Sequence, residues 1–180
     1  SSAASDVYKR QHQVELFDEE LNKEPYKEIG IKTLKPFSIK NKIKSALDQL
    51  SKINEDILSR GKFPLVFGGE HSITPGSIKP FTKKYDEITL LHFDAHADLR
   101  ESYQGEKFSH ASAIKRCLDH KNLKVVSFGI RNLSKEEMDF YNDNRDRVEI
   151  FWGKDRQTWD LSLLDKFFKN KNVYITFDVD

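Results

Sequence analysis

The chain has 180 residues, 37% of them hydrophobic, enough to build one domain around a core, and its thirteen Phe and six Tyr exclude a disordered composition. Thirty Lys plus Arg stand against 29 Asp plus Glu, a formal net charge of +1, so no basic bias points to nucleic acid as a partner. No apolar run approaches membrane-spanning length, which argues against a membrane partner, and a single cysteine, Cys117, rules out an internal disulfide and fits a reducing cytoplasm.

Residues 1–11, SSAASDVYKRQ, carry no clear period and are expected to be a leader outside the fold, leaving 12–180 as one partial domain. A helix near Val14–Leu21 and a short extended piece near Ile29–Leu34 are the only signals before Ser38. From Ser38 to Arg60 apolar residues recur at helical spacing, with Ser38 a candidate N-cap and Gly61 a stop. FPLVF (63–67) predicts a buried strand ending at Gly68-Gly69. A helix over 76–85 follows, then the strand ITLLHF (88–93), a helix from Ser109 to about His120, and the strand KVVSFG (124–129). Ser134 and Glu137 form a capping box for a helix over 135–144. VEIFW (148–152), a helix capped by Asp160 and running through Phe168, and VYITF (173–177) complete the series.

Strands and helices alternate five times, and the strands are continuous apolar runs. That pattern predicts an α/β domain, a three-layer αβα stack with a mainly parallel sheet. Cys117 is expected to be an apolar filler on a helix. His12, His120, Lys135-Glu136-Glu137 and the charged cluster Asp143–Arg147 are expected to be solvated.

In such sheets ligands bind beyond the carboxyl ends of the strands. FPLVF leads to GGEHS with His71, ITLLHF to DAHAD with Asp94, His96 and Asp98, and VYITF to DVD with Asp178 and Asp180. Four carboxylates converging in a partly desolvated site cannot all stay ionised without a positive charge among them. Divalent metal supplies it, and six ligands exceed the needs of one ion. An oxygen-rich set without thiolate favours Mn(II), with Zn, Co or Ni as competitors. In extended chain the i, i+2 and i+4 residues of D-x-H-x-D face one way, and Gly68-Gly69 would let the backbone turn to bring His71 in. His92, deeper in its strand, is expected to be a satisfied core histidine and not a seventh ligand.

GGEHS, DAHADLR and FDVD, in this order on these strand ends, resemble the ureohydrolases, the arginase and agmatinase family, over residues 12–180. The resemblance implies one Mn(II) held by His71, Asp94, Asp98 and Asp178, and a second held by Asp94, His96, Asp178 and Asp180. It implies hydrolysis of a guanidinium by a metal-bridging hydroxide, with His110 of SHAS, on a loop opening a helix, shuttling a proton or touching substrate. In arginases the residue two after the last Asp of the metal motif is typically Asn, serving the amino-acid end of the substrate. Here it is Arg100, and with Tyr103 and SHAS the sequence is more like agmatinases, which convert agmatine to putrescine and urea, a step of polyamine biosynthesis. Arg100 is equally readable as a structural ion pair. Guanidinobutyrase, formimidoylglutamase and arginase stay open, as do a mononuclear zinc deacetylase-like amidohydrolase and a metal-binding homologue without turnover. The resemblance also implies a trimer or hexamer. It further implies a first strand before residue 12 and, after Asp180, another strand and a guanidinium-gripping Glu, so that this stretch alone is expected to be inactive.

Overall fold

The structure is a computed structural model and describes residues 16–169 and 172–179. The described residues up to Ser38 and those from Ile39 onward fall into separate compact units. In the first, a turn closed by an antiparallel bridge between Asp18 and Lys23 precedes the short helix α1 (Pro25–Ile29). The described part of the expected helix near Val14–Leu21 is this turn, not a helix, and the expected leader lies outside the described residues.

The second unit carries the sheet. Strands β1 (Ile88–Phe93), β2 (Leu123–Ile130), β3 (Val148–Trp152) and β4 (Val173–Phe177) lie parallel in the order β3-β2-β1-β4. β1 is therefore central, and the chain winds outward to β3 before crossing back to β4. The order reverses between β1 and β4, which opens a crevice at their carboxyl ends. Leu90 sits opposite both Val125 and Tyr174, which fixes the register across the middle of the sheet.

On one face pack α2 (Ile43–Ser59), α3 (Thr74–Lys84), α4 (Ala113–Cys117) and α5 (Lys135–Asp143), around a core that includes Ile78, Leu90, Ile114, Cys117, Val125 and Ile150. Cys117 is fully buried, as expected of a filler, and burial pushes its thiol up. The other face, over β2 and β3, is covered by two 3-10 segments (Gly153–Thr158 and Leu161–Lys166), with Val126, Phe151 and Phe167 at its centre. The result is the expected α/β architecture, a parallel sheet with helices, consistent with three layers. Among the described residues, no helix is long and apolar enough to cross a membrane.

A row of phenylalanines crosses the sheet near its carboxyl end. Phe177 (β4), Phe93 (β1), Phe128 (β2) and Phe151 (β3) are register partners and stack in turn at 5.4, 5.2 and 4.8 Å between ring centroids. Offset stacking of this kind contributes beyond area burial alone.

α2 and α3 meet backbone to backbone. A Cβ on Gly76 would lie 2.8 Å from the Leu47 carbonyl oxygen, so only glycine allows that approach. Beside it the buried Asn54 donates through Nδ2 to the Ser77 carbonyl at 3.1 Å and to its hydroxyl at 2.6 Å, which satisfies a polar group that would otherwise be costly there.

Four expectations are corrected here. FPLVF forms no strand: Phe63, Leu65 and Phe67 are 91%, 66% and 79% exposed. A strand draws its stability from a neighbour's ladder, and no described strand pairs with this segment. β4, bonded to β1, likewise leaves Val173, Ile175 and Phe177 exposed. α2 starts at Ile43 with Lys42 as N-cap, not at Ser38, because Ile39 is exposed and no burial supports an extra turn. His120 is half-buried, with Nδ1 at 3.2 Å from the Thr82 hydroxyl. Glu137 is buried and Arg147 donates to the carbonyls of Leu118, His120 and Leu123, so neither belongs to a solvated face.

Candidate metal centre

The ladder of β1 runs one residue past the strand: the Asp94 amide donates to the Phe128 carbonyl at 3.1 Å, and the Asp178 amide donates to the Phe93 carbonyl at 2.9 Å. These bonds set both carboxylates just beyond the phenylalanine row, at the mouth of the crevice. The loop that follows Asp94 is held from several sides. The amides of Arg131 and Asn132 donate to the Ala95 carbonyl, that of Lys115 to the Asp98 carbonyl, and that of Leu99 to Glu137 at 3.0 Å.

Within this loop, Asp94 and Asp98 come to one side by a route other than an extended chain. β1 ends at Phe93, and Asp98 has φ +52°, in the left-handed region where Asp is tolerated better than most residues. The reversal at Asp98, not period-two alternation, aims its carboxylate at the cluster. The role of the paired glycines differs likewise. The Ile73 side chain packs on Gly68, where an added Cβ would meet its tip at 2.1 Å, and neither glycine has an unusual φ before His71 enters its 3-10 turn (His71–Ile73).

His71 is the hub. Its Nδ1 lies 2.7 Å from Asp98 Oδ2, 3.2 Å from Asp94 Oδ2 and 3.7 Å from Asp178 Oδ2. Its Nε2 lies 3.2 Å from the Thr176 hydroxyl, which is 3.0 Å from that of Thr74. His71, Asp94 and Asp98 are all buried. Burial favours a neutral His71, but hydrogen bonds and charge from Asp94 and Asp98 outweigh it and push the pKa up to about 9. Burial also opposes ionisation of Asp94, yet hydrogen bonds from His71, His92 and the His96 amide hold its carboxyl well below the usual range. At Asp98 burial prevails and pushes the carboxyl up.

His71 thus stands among the carboxylates of Asp94, Asp98 and Asp178 in a mostly buried cluster. Its imidazole nitrogen and carboxylate oxygens are hard-to-borderline donors without thiolate. That donor set fits a divalent cation of the Mn(II) or Zn(II) kind.

The other sequence-predicted residues lie farther out. His96 is half-exposed, 3.5 Å through Nδ1 from Asp94 Oδ1, and its backbone bridges to Asn132. Asp180 lies outside the described residues, as does His12. His110, in a 3-10 turn (His110–Ser112), is exposed; Nδ1 is 3.2 Å from Glu70 Oε1 and the ring meets Tyr103 edge-on. Glu70, next to His71, also accepts from the Ser72 hydroxyl at 2.7 Å. Sequence reasoning passed Glu70 over, since an acid after two glycines carries no spacing signal. Arg100 pairs with Glu137 at 3.5 Å and lies over the Tyr103 ring.

His92 stands closer to the centre than its strand position suggested. Its ring is 5.2 Å from that of His71, and ligand-type atoms of His71, His92 and Asp94 all lie within 4.8 Å of one another. It is nonetheless satisfied, as a core histidine should be, with Nε2 2.9 Å from Asp94 Oδ2 and Nδ1 3.0 Å from the Ser127 hydroxyl. Burial pushes its pKa down and keeps the imidazole neutral.

The chain is similar to known proteins. Residues 2–180 match the model of the arginase family. An agmatinase of Bacillus subtilis (strain 168) is 36% identical over 139 residues, covering 75% of this chain and 46% of its own length. The N(1)-aminopropylagmatine ureohydrolase of Synechocystis is 29% identical over 187 residues, covering 97% of this chain and 58% of its own length. The crystal structure of the agmatine ureohydrolase of Thermoplasma volcanium superposes with a TM-score of 0.79 at 26% identity, over 97% of this chain and 58% of that one. The chain spans about half the length of the curated relatives it matches. With the fold, the family model and these relatives in agreement, the chain belongs to the arginase family.

Proposed function

We propose that the protein carrying this chain hydrolyses a guanidinium, with agmatine as substrate and putrescine and urea as products, at a site holding two Mn(II) ions. One observation carries the metal half of this reading: a single imidazole nitrogen, His71 Nδ1, lies within 3.7 Å of carboxylates from two strand ends and a loop reversal. In the proposed centre His71, Asp94, Asp98 and Asp178 would hold one ion, and Asp94, His96, Asp178 and Asp180 the other, a division that rests on the family resemblance.

A guanidinium carbon is a poor electrophile because its charge is spread over three nitrogens. Bound divalent ions supply the missing reactivity by making water acidic enough to attack at neutral pH. The chain's own residues do the rest. The carboxylates place the ions at the crevice mouth and screen their charge from the cationic substrate. His110, exposed and held through Nδ1 by Glu70, presents its other nitrogen for proton transfer to the departing amine.

The choice of agmatine over arginine is supported by the named relatives and by Arg100. It stands where the resemblance puts the residue that serves an amino-acid substrate, and its guanidinium is engaged with Glu137. A reducing cytoplasm, a role in polyamine biosynthesis and a trimeric or hexameric assembly belong to the same proposal.

The test is urea release by the Mn-loaded full-length protein from agmatine, N-aminopropylagmatine, 4-guanidinobutyrate, formimidoylglutamate and arginine, with metal content measured in parallel. Two ions per chain and the highest kcat/KM on agmatine are expected. One ion per chain defeats the binuclear site, and preference for another substrate defeats agmatine.

A further inference from the structure

Beneath the proposed ions a buried chain of hydrogen bonds crosses from β2 to β1. His92 is opposite Ser127 in the ladder, and the two are 0% and 2% exposed. An imidazole among Leu90, Leu91 and Phe93 is far costlier to bury than another leucine unless both nitrogens are satisfied. Here they are, and in one direction. An ionised carboxylate only accepts, so His92 Nε2 carries the hydrogen and donates to Asp94 Oδ2 at 2.9 Å. The other ring nitrogen, Nδ1, meets the Ser127 hydroxyl at 3.0 Å, and a hydroxyl donating there complements the hydrogen on Nε2. The second Asp94 oxygen, Oδ1, accepts from the His96 amide at 2.8 Å. Both oxygens are thus held by fixed donors, which sets the plane of the carboxylate and turns Oδ2 toward His71 Nδ1, 3.2 Å away.

We propose that His92 and Ser127 are positioning residues for Asp94: Ser127 sets the tautomer of His92, His92 sets the orientation of the carboxylate, and together they raise the affinity of the site for its divalent ions. The inference rests on the reading of Asp94 as a metal ligand. Partners one step removed from a metal commonly matter about as much as 10- to 100-fold in affinity. The opposing account, His92 as a ligand itself, has the proximity of its Nε2 in its favour, but that atom is already committed to Asp94 and the ring is fully buried.

The experiment measures Mn(II) affinity and stoichiometry by equilibrium dialysis in the full-length protein, for wild type, S127A, H92Q, H92L and the double variant S127A/H92L. H92L is expected to weaken binding by about 10- to 100-fold and S127A by a smaller factor, with the number of ions unchanged at saturation. H92Q, whose amide can donate to Asp94, is expected within about threefold of wild type, well short of the H92L loss. The double variant is expected to match H92L, since Ser127 acts only through His92. Should H92L fail to fold, S127A, which loses one hydroxyl, decides. Wild-type affinity in folded S127A overturns the proposal, as does an S127A loss that persists in the H92L background. Loss of one ion in both His92 variants with S127A unaffected makes His92 a ligand and also overturns it. A wild-type protein that takes up no Mn(II) removes the metal reading itself, an outcome visible without any variant.

Discussion

His71 Nδ1 and Asp98 Oδ2 meet at 2.7 Å although 27 residues separate them, and neither is delivered by a strand. His71 arrives on a 3-10 turn that follows a close-packed glycine, Asp98 on a left-handed reversal. Asp94 and Asp178 supply the complementary pair, fixed by the ladder of the sheet. The cluster therefore joins two rigid donors to two whose position depends on loop conformation.

The substitution Asp98→Asn separates these contributions. Asn tolerates the left-handed backbone, so the loop is expected to keep its path while a charge is lost. Mn(II) binding is expected to weaken by about tenfold or more and urea release to fall by about 100-fold or more. Dialysis and a urea assay check both; unchanged affinity speaks against Asp98 as a ligand.

His110→Asn addresses proton transfer. General acid-base groups contribute about 10²- to 10⁴-fold, and a loss of that size in kcat is expected with the metal content intact. Glu70→Ala, which frees the imidazole from its 3.2 Å contact, is expected to lose less. Metal leaving with His110 assigns it to the centre instead.

Gly76→Ala bears on the scaffold. The added methyl meets the Leu47 carbonyl at 2.8 Å, so α2 and α3 must separate. A loss of about 1–3 kcal/mol, read as a lower midpoint of thermal or urea unfolding, is expected.

Alkaline pH probes the same helix layer through Tyr174, which donates to the Ser77 hydroxyl at 2.8 Å. Burial, with the nearby Cys117, raises its pKa to about 12 from 10.0, outweighing the Ser77 contact. The folded state holds this proton more tightly than the unfolded one. Its contribution is therefore complete below pH 10 and is lost as pH rises through about 12. Unfolding midpoints measured from pH 9 upward are expected to fall more steeply in wild type than in Tyr174→Phe.

The sheet was legible in the sequence wherever a strand had neighbours: β1 to β4 each coincide with an apolar run ending at a recognisable boundary. FPLVF has the same composition and fails as a strand because pairing is a property of the partner, which no local pattern encodes. Ser134 and Glu137 announced a capping box that the structure contains, but burial of Glu137 under Arg100 and the Leu99 amide is a tertiary fact invisible in a charged run. The gathering of His71, Asp94 and Asp98 was anticipated from strand ends, whereas the way it is achieved was not. The left-handed Asp98 and the crowded Gly68 depend on what the loops pack against. His92 looked like an ordinary buried histidine, and only the positions of Ser127 and Asp94 show that it links them.

The four stacked phenylalanines give the centre a further property. A slip of β4 against β1 by one residue would turn its side chains to the opposite face and break the stack, so alignment is enforced by packing and not by the ions. Such a centre is a socket that outlives its contents. Stripping it with a chelator is expected to leave the far-ultraviolet circular dichroism unchanged, and readdition of Mn(II) to restore binding within the mixing time, without a refolding phase.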